Sequence, residues 1–324
     1  MDFRTTVEVP LSPVKISLAS QVFGLGSCFA EVMGEKMQQH KFETLVNPFG
    51  IIFNPVSLAK IAAILAGKDS FSEDLFTERQ GQFFHFQAHS QLSASDRTAL
   101  KQKLDNTVFN TQKFLQNTDF LILTLGTAFV YRHLSTQSYV ANCHKMPAAW
   151  FEKKLLSVEK VLENIQNLHR NLLNSNPKIH CIFTVSPIRH TKDTLVLNQV
   201  SKSALRVACH EFCEKTENTS YFPAYEIMHD DLRDYRFYKA DMIHPSETAE
   251  NYIWEKFSES YFDEKTLAFL KRWKKIYVAL QHKPFNIHSL DYQIFAKKLM
   301  QQLEAEQDLV NIEKELSDLQ KKLS

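Results

Sequence analysis

Two residues that can attack a carbonyl stand side by side in the stretch "QVFGLGSCFAEVMGEKM", residues 21 to 37. Ser27 and Cys28 close a short apolar run and open a helical pattern. A serine hydroxyl is a poor nucleophile unless a general base lies within hydrogen-bond reach and a third group orients that base. The segment Asp241-Met242-Ile243-His244 holds both parts. A spacing of three sets the two side chains on one side of a turn, so Asp241 can hold one imidazole nitrogen while the other faces the nucleophile. A thiolate is the better intrinsic nucleophile, and a helix N-terminus lowers a thiol's pKa. Adjacent residues in a strand-to-helix turn point in different directions, however, so only one of the pair faces out.

Singly, these residues have plainer readings. Ser27 could be a helix N-cap, and Asp241 with His244 could be a surface ion pair. Their placement decides between the readings. Five apolar runs read as strands: Gln21 to Leu25, Phe42 to Val46, residues 119 to 126, residues 178 to 187, and Ser220 to Phe222. Helical patterns stand between them, among them a long amphipathic helix from about Trp150 to Leu173 and a helix over "VSKSALRVACHEFCEKT". Strands alternating with helices predict a mostly parallel sheet covered on both faces. Right-handed crossovers then gather the C-terminal strand ends at one edge, where open α/β proteins keep their ligand crevice. Gly26-Ser27-Cys28 follows the first strand, Asn47 and Gly50 the second, Gly126-Thr127 the third, Arg189 and His190 the fourth, and Asp241 and His244 come after the fifth. Nucleophile, amide donors and the Asp-x-x-His all fall on that edge. Ser246, after Pro245, reads as the N-cap of the next helix. Amides at the start of the first helix favour negative charge and suit an oxyanion, and Gly50 could add one more.

Bulk composition narrows the classes. The chain has 324 residues, 44% hydrophobic, enough for one large domain or two small ones. Lys and Arg number 38 against 37 Asp and Glu, a net charge of +1, which argues against nucleic-acid or membrane-surface binding. The N-terminus lacks a secretory pattern, and no stretch has the ~18 apolar residues of a membrane span. Five scattered cysteines suit a reducing compartment, so the expected location is the cytoplasm. No metal or other cofactor is expected. His85 and His89 lack the intervening acid of a helical metal pair, and Cys209, His210 and Cys213 lack a second ligand pair. "LRDYRFYK" reads as a salt-bridged connector rather than a nucleic-acid surface.

At this point the blocks "GSCFAE", "NPFGIIFNP", "LTLGTAFVY", "CHK", "SPIRH", "YFPAYEIMHDDLRDYRFY" and "DMIHPS" come together. In this order they resemble the GSCFA-domain family, a branch of the SGNH (GDSL-like) hydrolases. The resemblance covers about residues 20 to 260. It implies a three-layer α/β/α flavodoxin-like fold with a central, mostly parallel five-stranded sheet, and a Ser-Asp-His esterase apparatus. On that resemblance Ser27 is the nucleophile and faces outward, Cys28 turns into the packing, and Asp241 and His244 complete the site. The oxyanion donors it implies are the amides of Ser27 and Gly50. The third block of SGNH enzymes ends in an Asn, whereas Gly126-Thr127-Ala128 stands here. Thr127 is the natural substitute, with Asn47 and Asn54 as further donors or substrate contacts. His144, Arg189 and His190 are the remaining candidates for substrate binding.

The expected domain spans residues 1 to 290, with an insertion at about 71 to 115 that could form a lid. Residues 291 to 324 form one amphipathic helix in this reading. Its stripe of Leu309, Ile312, Leu316, Leu319 and Leu323 would pack on the chain or support a homodimer. The expected function is hydrolysis of a small acyl ester on a carbohydrate or related metabolite. Acyl transfer to a glycan is the first alternative, and a non-catalytic binding or assembly protein that retains the fold is the second.

Overall fold

The computed structural model describes residues 5–282, 284–287 and 289–323. In chain order the strands are β1 (Gln21–Gly26), β2 (Glu43–Val46), β3 (Phe76–Arg79), β4 (Gln82–His85), β5 (Phe120–Leu125), β6 (Phe129–His133), β7 (Tyr139–Val140), β8 (Phe151–Leu155), β9 (His180–Val185) and β10 (Thr219–Tyr221). The helices are α1 (Cys28–Gln39), α2 (Pro55–Leu65), α3 (Arg97–Leu115), α4 (Val158–Ser175), α5 (Leu195–Cys213), the short α6 (Ala224–Glu226), α7 (Glu247–Tyr261), α8 (Glu264–Leu280), α9 (Leu290–Glu304) and α10 (Glu313–Leu323).

The central sheet runs β10-β9-β5-β1-β2, all pairs parallel. Numbered by order along the chain and read from the β2 edge, its strands run 2-1-3-4-5, the flavodoxin-like order. Alternation along each strand assigns its side chains to two separate cores. Phe23, Leu25, Leu121, Leu123, Leu125, Phe183 and Val185 point to the face covered by α2, α3, α4 and α5. Val22, Phe120, Ile122 and Ile182 point to the face covered by α1, α7, α8 and the C-terminal helices. This is the three-layer arrangement expected from the sequence, and it places β1 and β5 at the switch point where the crossovers change direction.

Four local expectations are corrected. Residues 76 to 85 do form a hairpin, but α3 is no lid: Leu100, Leu104 and Leu115 are buried in the first core, and the helix is the crossover into β5. The fourth helix begins at Val158, capped by Ser157, because "FEKKL" alternates as a strand and pairs with β6. The antiparallel β7-β6-β8 sheet was not anticipated. The C-terminal stretch is two helices rather than one. Their Tyr292, Ala296, Leu299, Leu303, Ile312 and Leu319 lie in the second core of their own chain, so most of the stripe is already covered. Leu309 is exposed, and the side chain of Leu323 lies outside the described residues. No described helix is long and apolar enough to cross a membrane.

Candidate active site

The turn after β1 is built for close approach. Gly26 has φ +139°, and a Cβ there would lie 2.1 Å from the Thr124 carbonyl oxygen, which only glycine avoids. Its amide donates to Asn47 Oδ1 at 2.8 Å, and the Ser27 amide donates to Thr124 O at 3.0 Å. The chain then enters α1 with Ser27 as N-cap, its Oγ accepting from the Phe29 amide at 3.2 Å. Ser27 is buried, and among the described residues it makes no hydrogen bond to His244.

The residue that meets the imidazole is Cys28. Its Sγ lies 3.7 Å from His244 Nε2, and it is only half-buried. His244 Nδ1 is 2.7 Å from Asp241 Oδ2, while Asp241 Oδ1 accepts from the amides of Ile243 and His244 at 2.9 and 3.0 Å. Those two amides, and then the imidazole, hold the Asp241 carboxyl well below the usual carboxylate range. An ionised Asp241 accepts from Nδ1–H, which leaves Nε2 as the acceptor facing the thiol. The contact differs from the one expected: Cys28 rather than Ser27 has its side chain beside the imidazole. Position 27 is fixed as the cap, and the first residue inside the helix projects toward the base.

Burial pushes the Cys28 thiol up from its ordinary range, and Glu31 adds to that. The backbone amides of Cys28 and Phe29 and the ammonium of Lys202 pull the other way. The resting group is a thiol, which needs a base to ionise it. His244 is placed to be that base.

The Asp241–His244 segment is clamped from several sides. Arg189 donates from its amide to Ile243 O at 3.2 Å and from its guanidinium to Met242 O. The Arg189 guanidinium also lies over the Tyr238 ring at 4.0 Å. Met242 sits at φ +57°, a left-handed conformation that these bonds hold in place. Ser246 caps α7 as expected, accepting from the Ala249 amide at 3.4 Å.

The other expected site residues divide. The Gly50 amide donates to Asn47 O at 2.7 Å and closes the turn, so it is not free for an oxyanion. The Ser27 amide is likewise engaged. The Thr127 hydroxyl bonds Ser201 Oγ at 2.8 Å and accepts from the Phe129 amide. Asn54 is the N-cap of α2. His144 is locked between Ser90 Oγ and the His85 carbonyl and stacks on Phe84, and its burial lowers its pKa to about 4. Asn47 is buried, and its Nδ2 has no hydrogen-bond partner among the described residues. His190 packs against Phe53, and its buried Nε2 has no partner among the described residues; burial, with Lys202 nearby, lowers its pKa to about 4.

One residue of this neighbourhood was missed. Lys202 is fully buried on α5 and donates to Ser186 O at 2.7 Å, just beyond the end of β9. The signal was present in the sequence. Asn198, Ser201 and Lys202 share the inward stripe of α5 with Leu205, Ala208 and Phe212, and a lysine on such a stripe calls for a reason. Among the described residues no group of acids, His and Cys is arranged to hold a metal ion.

No curated protein is significantly similar to the chain. Among solved structures, a carbohydrate esterase family 3 protein from Talaromyces cellulolyticus matches with a TM-score of 0.38 and 8% sequence identity, covering 79% of this chain and 99% of that one. A mutant acetyl esterase with acetate ion matches with a TM-score of 0.36 and 9% identity, over the same shares of the two chains. Similarity of that degree bears on neither substrate nor mechanism. The GSCFA family model matches residues 21–257, and the model of the GSCFA domain protein C-terminal domain matches residues 273–324. With the strand edge, the turn at Gly26 and the Asp241–His244 loop all inside the first match, the chain belongs to the GSCFA family.

Proposed function

We propose that the protein is an ester hydrolase that works through an acyl-thioester intermediate on Cys28. The observation that carries this is the continuous chain from Asp241 through His244 to the Cys28 sulfur, at the switch point of the sheet. His244 Nε2 takes the thiol proton as sulfur attacks the acyl carbonyl, and Asp241 stabilises the imidazolium. His244 then returns the proton to the departing alkoxide, leaving the acyl group on sulfur. Water, deprotonated by His244, releases the acid and restores the thiol. The unpartnered Asn47 Nδ2 and the Cys28 amide at the start of α1 are the groups we assign to the oxyanion, replacing Ser27, Gly50 and Thr127. A small acyl ester of a carbohydrate or related metabolite is the substrate class we assign. The same residues would serve transfer to a glycan hydroxyl.

The engaged amides of Ser27 and Gly50 favour a second reading, a ligand-binding protein that keeps the fold. Turnover of acetylated sugars and of an activated acetyl ester by the intact chain separates the two. The hydrolase reading expects Cys28→Ala to lower turnover by about a thousandfold or more while leaving the fold intact. Absence of turnover in the folded parent protein would move the binding reading to the front.

A further inference from the structure

Arg189 holds the Met242 carbonyl, and that contact uses little of its guanidinium. The residue is only 9% exposed, yet the guanidinium makes one hydrogen bond among the described residues, from Nη2 to Met242 O. Its enclosed Nε has no partner, and among the described residues no carboxylate lies within ion-pair distance of it. The Tyr238 and Tyr235 rings stand 4.0 and 5.4 Å from the guanidinium carbon. Ring faces soften the cost of that charge but accept few of its N–H groups. A buried guanidinium with free donors is costly until an anion meets it.

The same side chain lines a pocket with His229, Arg233, Asp234, Tyr235 and Tyr238. His229 comes from the single π-helical turn Ile227–Asp231, and its buried Nε2 has no partner among the described residues. That nitrogen can carry the ring proton and donate it. The acids at the pocket are already engaged. Asp234 accepts from the Arg236 amide at 2.9 Å and pairs with the Arg236 side chain at 3.4 Å, and Asp230, next to His229, pairs with Arg233. Arg189 is therefore the lining cation left without an acid. At about 210 Å³ the pocket is smaller than the roughly 300–1,000 Å³ of a whole-ligand site, so it suits one compact group.

We propose that this pocket binds a compact oxyanion, a carboxylate or phosphate group, through the Arg189 guanidinium and the His229 imidazole. The guanidinium supplies charge and planar donors, the imidazole a further donor, and the Tyr238 ring keeps the guanidinium plane in place. The Arg189 guanidinium also holds Met242 O, and its amide holds Ile243 O. The bound anion therefore sits one side chain away from the Asp241–His244 segment. Its source is either an anionic group carried by the ester substrate or a free ion, with the same chemistry at Arg189. The site itself stands whichever residue attacks the ester, and only the substrate-borne source rests on the hydrolase reading.

Isothermal titration calorimetry of the full-length protein with inorganic phosphate, and separately with acetate, at constant ionic strength reads the site without turnover. The parent should show saturable one-site binding of at least one of the two, and its absence with both overturns the proposal. Arg189→Gln and His229→Leu should each weaken that binding about tenfold or more, as loss of a hydrogen bond to a charged group does. Unchanged affinity in either variant, with its fold confirmed by circular dichroism, places the anion elsewhere and overturns the proposal as well. Turnover of acetylated glucose beside acetylated glucose 6-phosphate then reads the source. A kcat/KM about tenfold higher on the phosphorylated ester, lost in His229→Leu, puts the anion on the substrate. Equal values on the two esters, with phosphate bound, assign the pocket to a free ion. No turnover of either ester, with phosphate still bound through Arg189, removes the hydrolase reading and leaves the anion site standing.

Discussion

At residue scale, the proposed chemistry turns on the difference between positions 27 and 28. The capping oxygen of Ser27 holds the Phe29 amide, and the next residue projects from the first turn of the helix toward His244. Ser27→Ala should cost about 1 kcal/mol of stability, typical of a lost cap, and leave turnover within about tenfold of the parent if Cys28 attacks. Chemical denaturation and ester hydrolysis measured on the same samples check both halves, and a thousandfold loss in a stable Ser27→Ala would refute the assignment. Asp241→Asn should lower kcat by at least about a hundredfold, because the amide no longer fixes the imidazole tautomer. Lys202 makes a prediction about stability. Its folded pKa, about 7, lies below that of an unfolded lysine, so the unfolded chain binds more protons from about pH 7 upward to about pH 10. The lysine's contribution therefore destabilises most below pH 7, and the penalty shrinks as pH rises through that window. Lys202→Met should be the more stable protein at pH 6, with the gap to the parent narrowing toward pH 10. Urea unfolding at the two pH values reads the sign, and a gap that widens with pH would contradict it.

At the scale of elements, the sequence carried the sheet and its edge well. Largely apolar runs such as residues 120 to 125 and 180 to 185 are buried on both faces, which needs no partner knowledge to see. The groups after each strand also fell where expected. Which side chain faces the base was less legible, since it depends on the phase with which α1 starts and on Ser27 being used as its cap. The engagement of the expected oxyanion donors was hard to read for a related reason. Whether an amide is free depends on turn closure, and the Gly50 and Ser27 amides are taken by carbonyls of neighbouring segments. Short strands such as β6, β7 and β8 depend on partners distant in sequence, so local pattern gave a helix at Trp150 where pairing gives a strand from Phe151. Arg189 illustrates the same limit, because its contact with the Met242 carbonyl joins residues far apart in the chain. Arg189→Lys should leave the fold intact and slow turnover by about tenfold or more, since a lysine cannot span the same contacts. Thermal melting beside kcat and KM measures both.

At the scale of the whole molecule, two helical layers sandwich the sheet, and the C-terminal helices complete one of them. Leu299 and Leu303 are buried in the same core as Phe269 and Trp273 of α8. Leu299→Ala should therefore cost about 2–5 kcal/mol, measured by denaturant unfolding, with a cost under 0.5 kcal/mol showing that α9 docks only loosely. The same layer supports α1 and α7, the helices that begin at Cys28 and just after His244, so its integrity bears on the site. That link makes the intact chain the right object for the decisive measurement. The protein is mixed with an activated acetyl ester, quenched in acid within a turnover, and mapped by peptide mass spectrometry for the acetyl group. The account predicts an acetyl thioester on Cys28, cleaved by neutral hydroxylamine and absent in His244→Ala. An acetyl group on Ser27, or none at the turn in a folded and catalytically active sample, would contradict it.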